Sequence, residues 1–338
     1  MAKVAINGFG RIGRLFFRQA FGKKGLDVVA INDLGDLENL AYLLKYDTVY
    51  GRYDKSVEVK SGKLVVDGKK IEVVQEKDPA NLPWKDLKVD IVVEATGVFD
   101  SYEKARAHIG AGAKRVVITA PTEDKDGGDA ATVLVGVNDD ILKSLTLSSN
   151  ASCTTNAASP VIAILSENPG ILKAMLSTVH AYTATQGLVD GPVRGRDFLR
   201  GRAGAANIIP SSTGAARAVS RAIKEMENKF DGIAFRVPVV AGSIADITFI
   251  SKRNTSLDEV NDILRKASKD SRWKDIFTVT EDPLVSSDII GQSHGAIADL
   301  SFTRVVDGNL VKVLSWYDNE WGYVSTLIRH VSDVAALV

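Results

Sequence analysis

The run Gly8-Phe9-Gly10-Arg11-Ile12-Gly13 restricts the fold more than any other part of this sequence. It directly follows the β-branched run Val4 to Ile6 and opens a stretch in which Leu15, Phe16, Gln19 and Ala20 recur at the spacing of an amphipathic helix. At a strand-to-helix junction the first glycine permits a tight turn, the second lets backbone approach a pyrophosphate, and the third lets helix and strand pack closely. Gly22 to Gly25 ends the helix, and Val28 to Ile31 completes a strand–helix–strand unit. Such a unit belongs to a parallel sheet. Ile91 to Glu94, Val116 to Thr119 and Leu145 to Ser148 continue it as short apolar runs between helical stretches.

A helix N-terminus aimed from a glycine turn attracts phosphate. Asp33 ends the second strand 20 residues after Gly13, where a carboxylate accepts hydrogen bonds from an adenosine ribose. Glycines Gly8, Gly10 and Gly13 with Asp33 therefore point to NAD, and the carboxylate opposes the 2′-phosphate of NADP. Ser56 to Val59, Lys63 to Val66 and Ile71 to Val74 read as a small antiparallel excursion that decorates this sheet, with Asp67-Gly68 as a tight turn.

The chain has 338 residues, enough for two cores, and the texture changes after Ser152. Beyond it come a helix through Ile164, a strand near Ser177 to His180, and a Gly- and Arg-rich loop from Thr183 to Asn207, a length that marks a functional or interface segment. A helix with Ala215, Val219, Ile223 and Met226 on one face follows, then strands around Gly232 to Pro238 and Ala245 to Ile250. Ser256-Leu257-Asp258-Glu259 reads as a capping box before the apolar stripe Val260, Ile263, Leu264 and Ala267. Val324, Leu327, Ile328, Val331 and Val334 make a closing helix. The expected division is 1–150 for dinucleotide binding and 151–317 for an α+β catalytic domain with a mostly antiparallel sheet.

Lys plus Arg equals Asp plus Glu at 42 each, so no net field draws the chain to nucleic acid or to an anionic membrane. The start MAKVAING lacks a signal pattern and no run reaches membrane-span length, which gives a soluble, cytoplasmic expectation. A single cysteine excludes an intrachain disulfide and a multi-cysteine metal cluster; no metal is expected.

That cysteine, Cys153, sits where an apolar strand turns into a helix, among Ser152, Thr154, Thr155 and Asn156. Free cysteines are usually small buried packing residues, but polar neighbours and a helix's first turn favour a reactive thiolate. Of the four histidines, His180 ends an apolar strand inside a polar run and is the candidate base; His108, His294 and His330 fit packing or solvated roles. A nicotinamide and a nucleophilic thiol together suit aldehyde oxidation: the thiolate adds to give a hemithioacetal, hydride departs, and a thioester remains for water or phosphate. Thr183, Arg200, Thr213-Gly214 and Arg236 are the candidate anion sites.

INGFGRIGR, the ASCTTN run, TVHAYTATQ, STGAA and SWYDNEWGY, in this order along the whole chain, resemble the phosphorylating glyceraldehyde-3-phosphate dehydrogenase family. The resemblance implies a Rossmann-type NAD domain joined by a C-terminal helix within 318–338, and a homotetramer. It implies glyceraldehyde 3-phosphate and inorganic phosphate as substrates, Cys153 as nucleophile and His180 as base. Ser152, Thr154, Thr183, Arg200, Thr213, Gly214 and Arg236 resemble the phosphate-binding sets, and Arg11, Ile12, Asp33, Lys77, Thr119 and Asn319 the cofactor contacts. Three stretches, 123–129, 194–200 and 291–299, depart from the family's wording. The alternatives are an erythrose-4-phosphate dehydrogenase with the same thiol chemistry, a water-accepting variant, or a binding protein that has lost catalysis.

Overall fold

The computed structural model describes residues 1–193 and 197–338, which divide into two compact units, 1–151 with 327–338 and 152–326. Of the unusual 194–200 stretch, Arg194, Gly195 and Arg196 lie outside the described residues.

The first unit carries strands β1 (Ala2–Asn7), β2 (Leu26–Asn32), β3 (Val57–Lys60), β4 (Lys63–Val66), β5 (Lys69–Val74), β6 (Ile91–Glu94), β7 (Arg115–Ile118), β8 (Ala130–Thr132) and β9 (Leu147–Ser149). They form one sheet in the order β8-β9-β7-β6-β1-β2-β5-β4-β3, parallel from β8 through β5. Val4, Ile6, Val92 and Val117 are fully buried, as expected for strands covered on both faces. The 57–74 excursion is antiparallel, and Asp67 and Gly68 both take positive φ at its turn. It does more than decorate the sheet, because β5 pairs in parallel with β2 and continues it. The strand expected at Leu145 starts two residues later: a 3₁₀ turn over Asp139–Ser144 ties the Leu145 N–H to the Leu142 carbonyl.

Helix α1 (Arg11–Ala20) follows β1 and buries Leu15, Phe16, Phe17 and Ala20. Arg18 of the same helix is buried too, with its guanidinium donating to the Leu44 and Gly51 carbonyls.

The second unit opens with α2 (Cys153–Glu167) and holds β10 (Ile171–Ala181), β11 (Ile209–Ser212), α3 (Ala215–Ala222), β12 (Phe230–Val237), β13 (Ser243–Ser251), α4 (Leu257–Ala267), β14 (Phe277–Thr280), β15 (Ala296–Val306) and β16 (Leu310–Tyr317). Its sheet runs β11-β12-β10-β13-β16-β15-β14 and is mostly antiparallel, with parallel pairs at β10/β12 and β14/β15. The helix expected through Met226 ends at Ala222, and a 3₁₀ turn over Lys224–Met226 follows it. Ser220 Oγ, within bonding reach of the Met226 carbonyl at 3.1 Å, holds the chain in that bend. The capping box at α4 is half formed. Ser256 Oγ accepts from the Glu259 N–H, but the Glu259 carboxylate is taken by Arg253 and Thr255. Helix α5 (Trp321–Ala335) buries Val324, Leu327, Ile328, Val331 and Val334, and its second half groups with the first unit. No helix among the described residues is long and apolar enough to cross a membrane.

Candidate active site

The carboxyl ends of the parallel strands carry the first set of candidate residues, the edge at which open α/β sheets bind ligands. β1 delivers Gly8, with φ at 93°, whose position beside the backbone of Ala95 and Thr96 leaves no room for a side chain. A Cβ on Gly13 would collide with the Gly8 carbonyl, so this glycine is what lets α1 start flush against the turn. Gly10 faces open space and caps α1 without a side chain, an approach that suits an anion at a helix N-terminus.

Asp33 follows β2, and its carboxylate accepts the Phe9 N–H at 2.6 Å and the Gly35 N–H at 2.8 Å. One acidic side chain therefore braces both the glycine turn and the turn after β2. Arg11 pairs at 2.5 Å with half-buried Asp47, and Ile12 lies in the same half-exposed first turn. Lys77 is exposed in the loop after β5, and Thr119 follows β7 with its N–H on the Glu94 carbonyl. These positions fit a dinucleotide cradle. Asn319 belongs to the other unit; its Oδ1 accepts from the Gly242 N–H and the Ser243 hydroxyl, which leaves its amide N–H groups to offer a ligand.

The second set is built in the second unit. Ser152 caps α2 through a reciprocal bond pair with Thr155, and Cys153 is the first residue of the helix. Strands β10 and β12 run in parallel with His180 directly opposite Arg236, so sheet register alone brings imidazole and guanidinium together. Cys153 Sγ lies 3.3 Å from His180 Nε2. His180 Nδ1 is 2.6 Å from both the Ala181 carbonyl and Arg236 Nη1, which permits two tautomers. Donation from Nδ1 to Ala181 leaves the Nε2 lone pair facing sulfur; acceptance from Arg236 leaves an Nε2–H there.

Burial pushes the Cys153 thiol above its ordinary range, outweighing the Arg236 charge and the Thr154 backbone amide that pull it down. A helix N-terminus next to an imidazole gives reason to expect a depressed value; the low-dielectric surroundings outweigh both. Burial, with the Arg236 charge adding to it, lowers His180 to about 3, so its ring is neutral at neutral pH.

Arg236 keeps a buried Nε with no hydrogen-bond partner among the described residues. Arg200 is held by Ser211 and Asp197. Thr213 and Gly214 stand at the start of α3, where Thr213 Oγ1 accepts the Ala215 N–H, and the Thr183 hydroxyl meets that of Thr185. Thr154 is placed differently from its phosphate-set neighbours: its hydroxyl is buried and lies 2.9 Å from Tyr317 Oη. Tyr317, with Thr178 at 2.7 Å on its other side and its ring edge-on to His180, is a member of the site that residue patterns did not single out. Its signal was inside SWYDNEWGY, at the inward-facing end of β16. No group of three or more His, Cys, Asp or Glu side chains able to hold a metal occurs among the described residues.

Residues 2–102 match the family model for the glyceraldehyde 3-phosphate dehydrogenase NAD binding domain, and residues 152–319 match that family's C-terminal domain. The chain belongs to the glyceraldehyde 3-phosphate dehydrogenase family. It is 50% identical over 334 residues to a glyceraldehyde-3-phosphate dehydrogenase of Streptococcus pyogenes, covering 97% of each chain. A namesake from Clostridium pasteurianum is 47% identical over 333 residues, again 97% of each, and one from Borreliella burgdorferi is 48% identical over 96% of this chain and 97% of its own.

Proposed function

We propose that this chain oxidises D-glyceraldehyde 3-phosphate to 1,3-bisphosphoglycerate with NAD and inorganic phosphate, the glycolytic reaction, through a thioester on Cys153. The observation that carries this reading is the 3.3 Å Sγ-to-Nε2 contact at the capped start of α2, with Arg236 beside it.

In this reading Sγ bonds to the aldehyde carbon and the thiol proton passes to the carbonyl oxygen, giving a hemithioacetal. The Cys153 N–H, in the first turn of α2, is the group offered here to stabilise the developing oxyanion. Bound NAD supplies the hydride acceptor. As hydride leaves carbon, His180 Nε2 takes the hydroxyl proton, which requires the tautomer that donates from Nδ1 to Ala181. A phosphate oxygen then attacks the thioester carbon and the Cys153 sulfur leaves. Ser152, Thr183, Arg200, Thr213, Gly214 and Arg236 hold the substrate's phosphate and the attacking one, while the Thr154 hydroxyl, turned to Tyr317, leaves only its backbone for that role. Arg11, Ile12, Asp33, Lys77, Thr119 and Asn319 hold the cofactor with the glycines of the turn.

The homotetramer and the cytoplasmic location are part of the same proposal. The second sheet exposes Leu172, Met175, Val179, Ile233 and Phe302, apolar side chains on three strands that a neighbouring subunit would cover. Initial rates of NAD reduction on glyceraldehyde 3-phosphate and on erythrose 4-phosphate, each with and without inorganic phosphate, test the reading. A phosphate-dependent rate with the three-carbon substrate preferred is expected. A rate indifferent to phosphate removes the phosphorylating assignment, and preference for the four-carbon sugar replaces the substrate.

A further inference from the structure

Beneath the glycine turn lies a buried polar chain that the chemistry above does not use. Asn7, Asn32 and Glu94 are the last residues of β1, β2 and β6, three neighbouring parallel strands, and all are buried. Glu94 Oε2 accepts from Asn7 Nδ2 at 2.6 Å and from His108 Nε2 at 2.9 Å. Its Oε1 accepts the backbone N–H of Thr96 at 2.8 Å and the Thr96 hydroxyl. Asn7 Oδ1 accepts from Asn32 Nδ2, and the Asn32 amide closes on the Glu76 carbonyl and N–H.

The direction of every bond in this chain is fixed from its ends. Trp84 Nε1 can only donate, and it points at His108 Nδ1 at 3.0 Å, so the ring carries its proton on Nε2 and gives it to Glu94. At the other end the backbone of Glu76 cannot turn over, which fixes Asn32, and Asn32 fixes Asn7 with its amide nitrogen toward Glu94. Four donor groups from three residues, Asn7, His108 and Thr96, converge on position 94, and only an acceptor with two oxygens satisfies them all.

This matters for the cofactor because Gly8 rests on the backbone of Ala95 and Thr96, where an added Cβ would lie 2.6 Å from the Thr96 nitrogen. We infer that Glu94 is a positioning residue for the dinucleotide: its carboxylate, oriented by His108 and Asn7, seats the 95–96 segment that supports the phosphate turn. The inference rests on the reading that NAD binds at this turn.

In Glu94→Gln the amide nitrogen meets a donor whichever way it is turned, Asn7 Nδ2 and His108 Nε2 on one side or the Thr96 backbone N–H on the other. Moving the carboxylate one strand over, by combining Asn7→Asp with Glu94→Gln, restores a consistent chain. The carboxylate at position 7 then accepts from the new amide at position 94, from Asn32 and from His108 Nε2, which lies 3.4 Å from the Asn7 amide nitrogen it replaces. The experiment measures NAD affinity by titration, together with KM for NAD and kcat at saturating NAD, on the full-length parent, the single and the double variant. Glu94→Gln should raise Kd and KM for NAD about tenfold with kcat within about twofold, and the double variant should return to within about threefold of the parent. Parent-like NAD affinity in Glu94→Gln, or a double variant as weak as the single, overturns the inference. If the single variant does not fold, the double variant decides by the same threshold. A parent that fails to bind NAD would instead refute the underlying cofactor reading.

Discussion

Replacing His180 by Gln separates the electrostatics of the site from its chemistry. In the folded chain His180 is lowered to about 3 from the ordinary 6.5. The unfolded chain therefore takes up a proton below pH 6.5 that the folded chain refuses. The sign follows: the neutral ring costs the fold nothing at pH 7, and stability is lost as pH falls from 6.5 toward 3. At pH 5 the difference amounts to about 2 kcal/mol from this one ring, since 1.5 pH units below the unfolded value correspond to about 1.36 kcal/mol each. Gln does not titrate, so the stability gap between parent and His180→Gln should shift by about 2 kcal/mol, against the parent, between pH 7 and pH 5. Carboxylate titration is common to both proteins and cancels in the difference. Urea unfolding followed by circular dichroism at the two pH values reads it directly. A gap unchanged between them would show that the imidazole is not held neutral by burial, and with it the claim that a free Nε2 lone pair faces sulfur at neutral pH would fall. In the same variant kcat should drop about 10²- to 10⁴-fold, the worth of a general base.

Other substitutions probe neighbouring parts of the account. Tyr317→Phe deprives the buried Thr154 hydroxyl of its partner and should cost about 1–2 kcal/mol; calorimetry should show Tm lowered by about 4 °C, and an unshifted Tm would mean that the hydroxyl cluster carries no weight. Cys153→Ser should lose at least about 10³-fold in aldehyde oxidation while NAD titration remains normal; retained turnover would remove the mechanism. Asp33→Asn has one oxygen where two amides, Phe9 and Gly35, need acceptors, so the preference in kcat/KM for NAD over NADP should fall about tenfold. An unaltered ratio would dissociate Asp33 from cofactor choice.

The parallel half of the fold was legible because its signals are local. A glycine turn between an apolar run and an amphipathic stretch admits few backbones, and each short β-branched run became a strand within two residues of its expected start. Two departures arose where a side chain chose a partner outside the expected pattern. Glu259 left its capping box for Arg253, and Ser220 helped bend the chain after α3. Cys153 and His180 stood out by their polar surroundings, but their partners did not. That Arg236 lies beside His180 is a fact of strand register, and that Tyr317 joins Thr154 to Thr178 depends on residues 139 and 163 positions apart along the chain. Spacing in a sequence carries no such information. The direction in which the thiol's acidity moves was equally illegible, because it depends on how much water the fold excludes around sulfur.

The central claim is that substrate becomes covalently attached to the Cys153 sulfur as a thioester. It is tested most directly by mixing the protein with NAD and glyceraldehyde 3-phosphate in phosphate-free buffer, quenching in acid, and measuring the intact mass and its peptides. One equivalent of NADH should form rapidly, accompanied by one phosphoglyceryl group on the peptide bearing Cys153, and added phosphate should discharge it. A burst of NADH with no adduct, or with the adduct on another residue, would contradict the account.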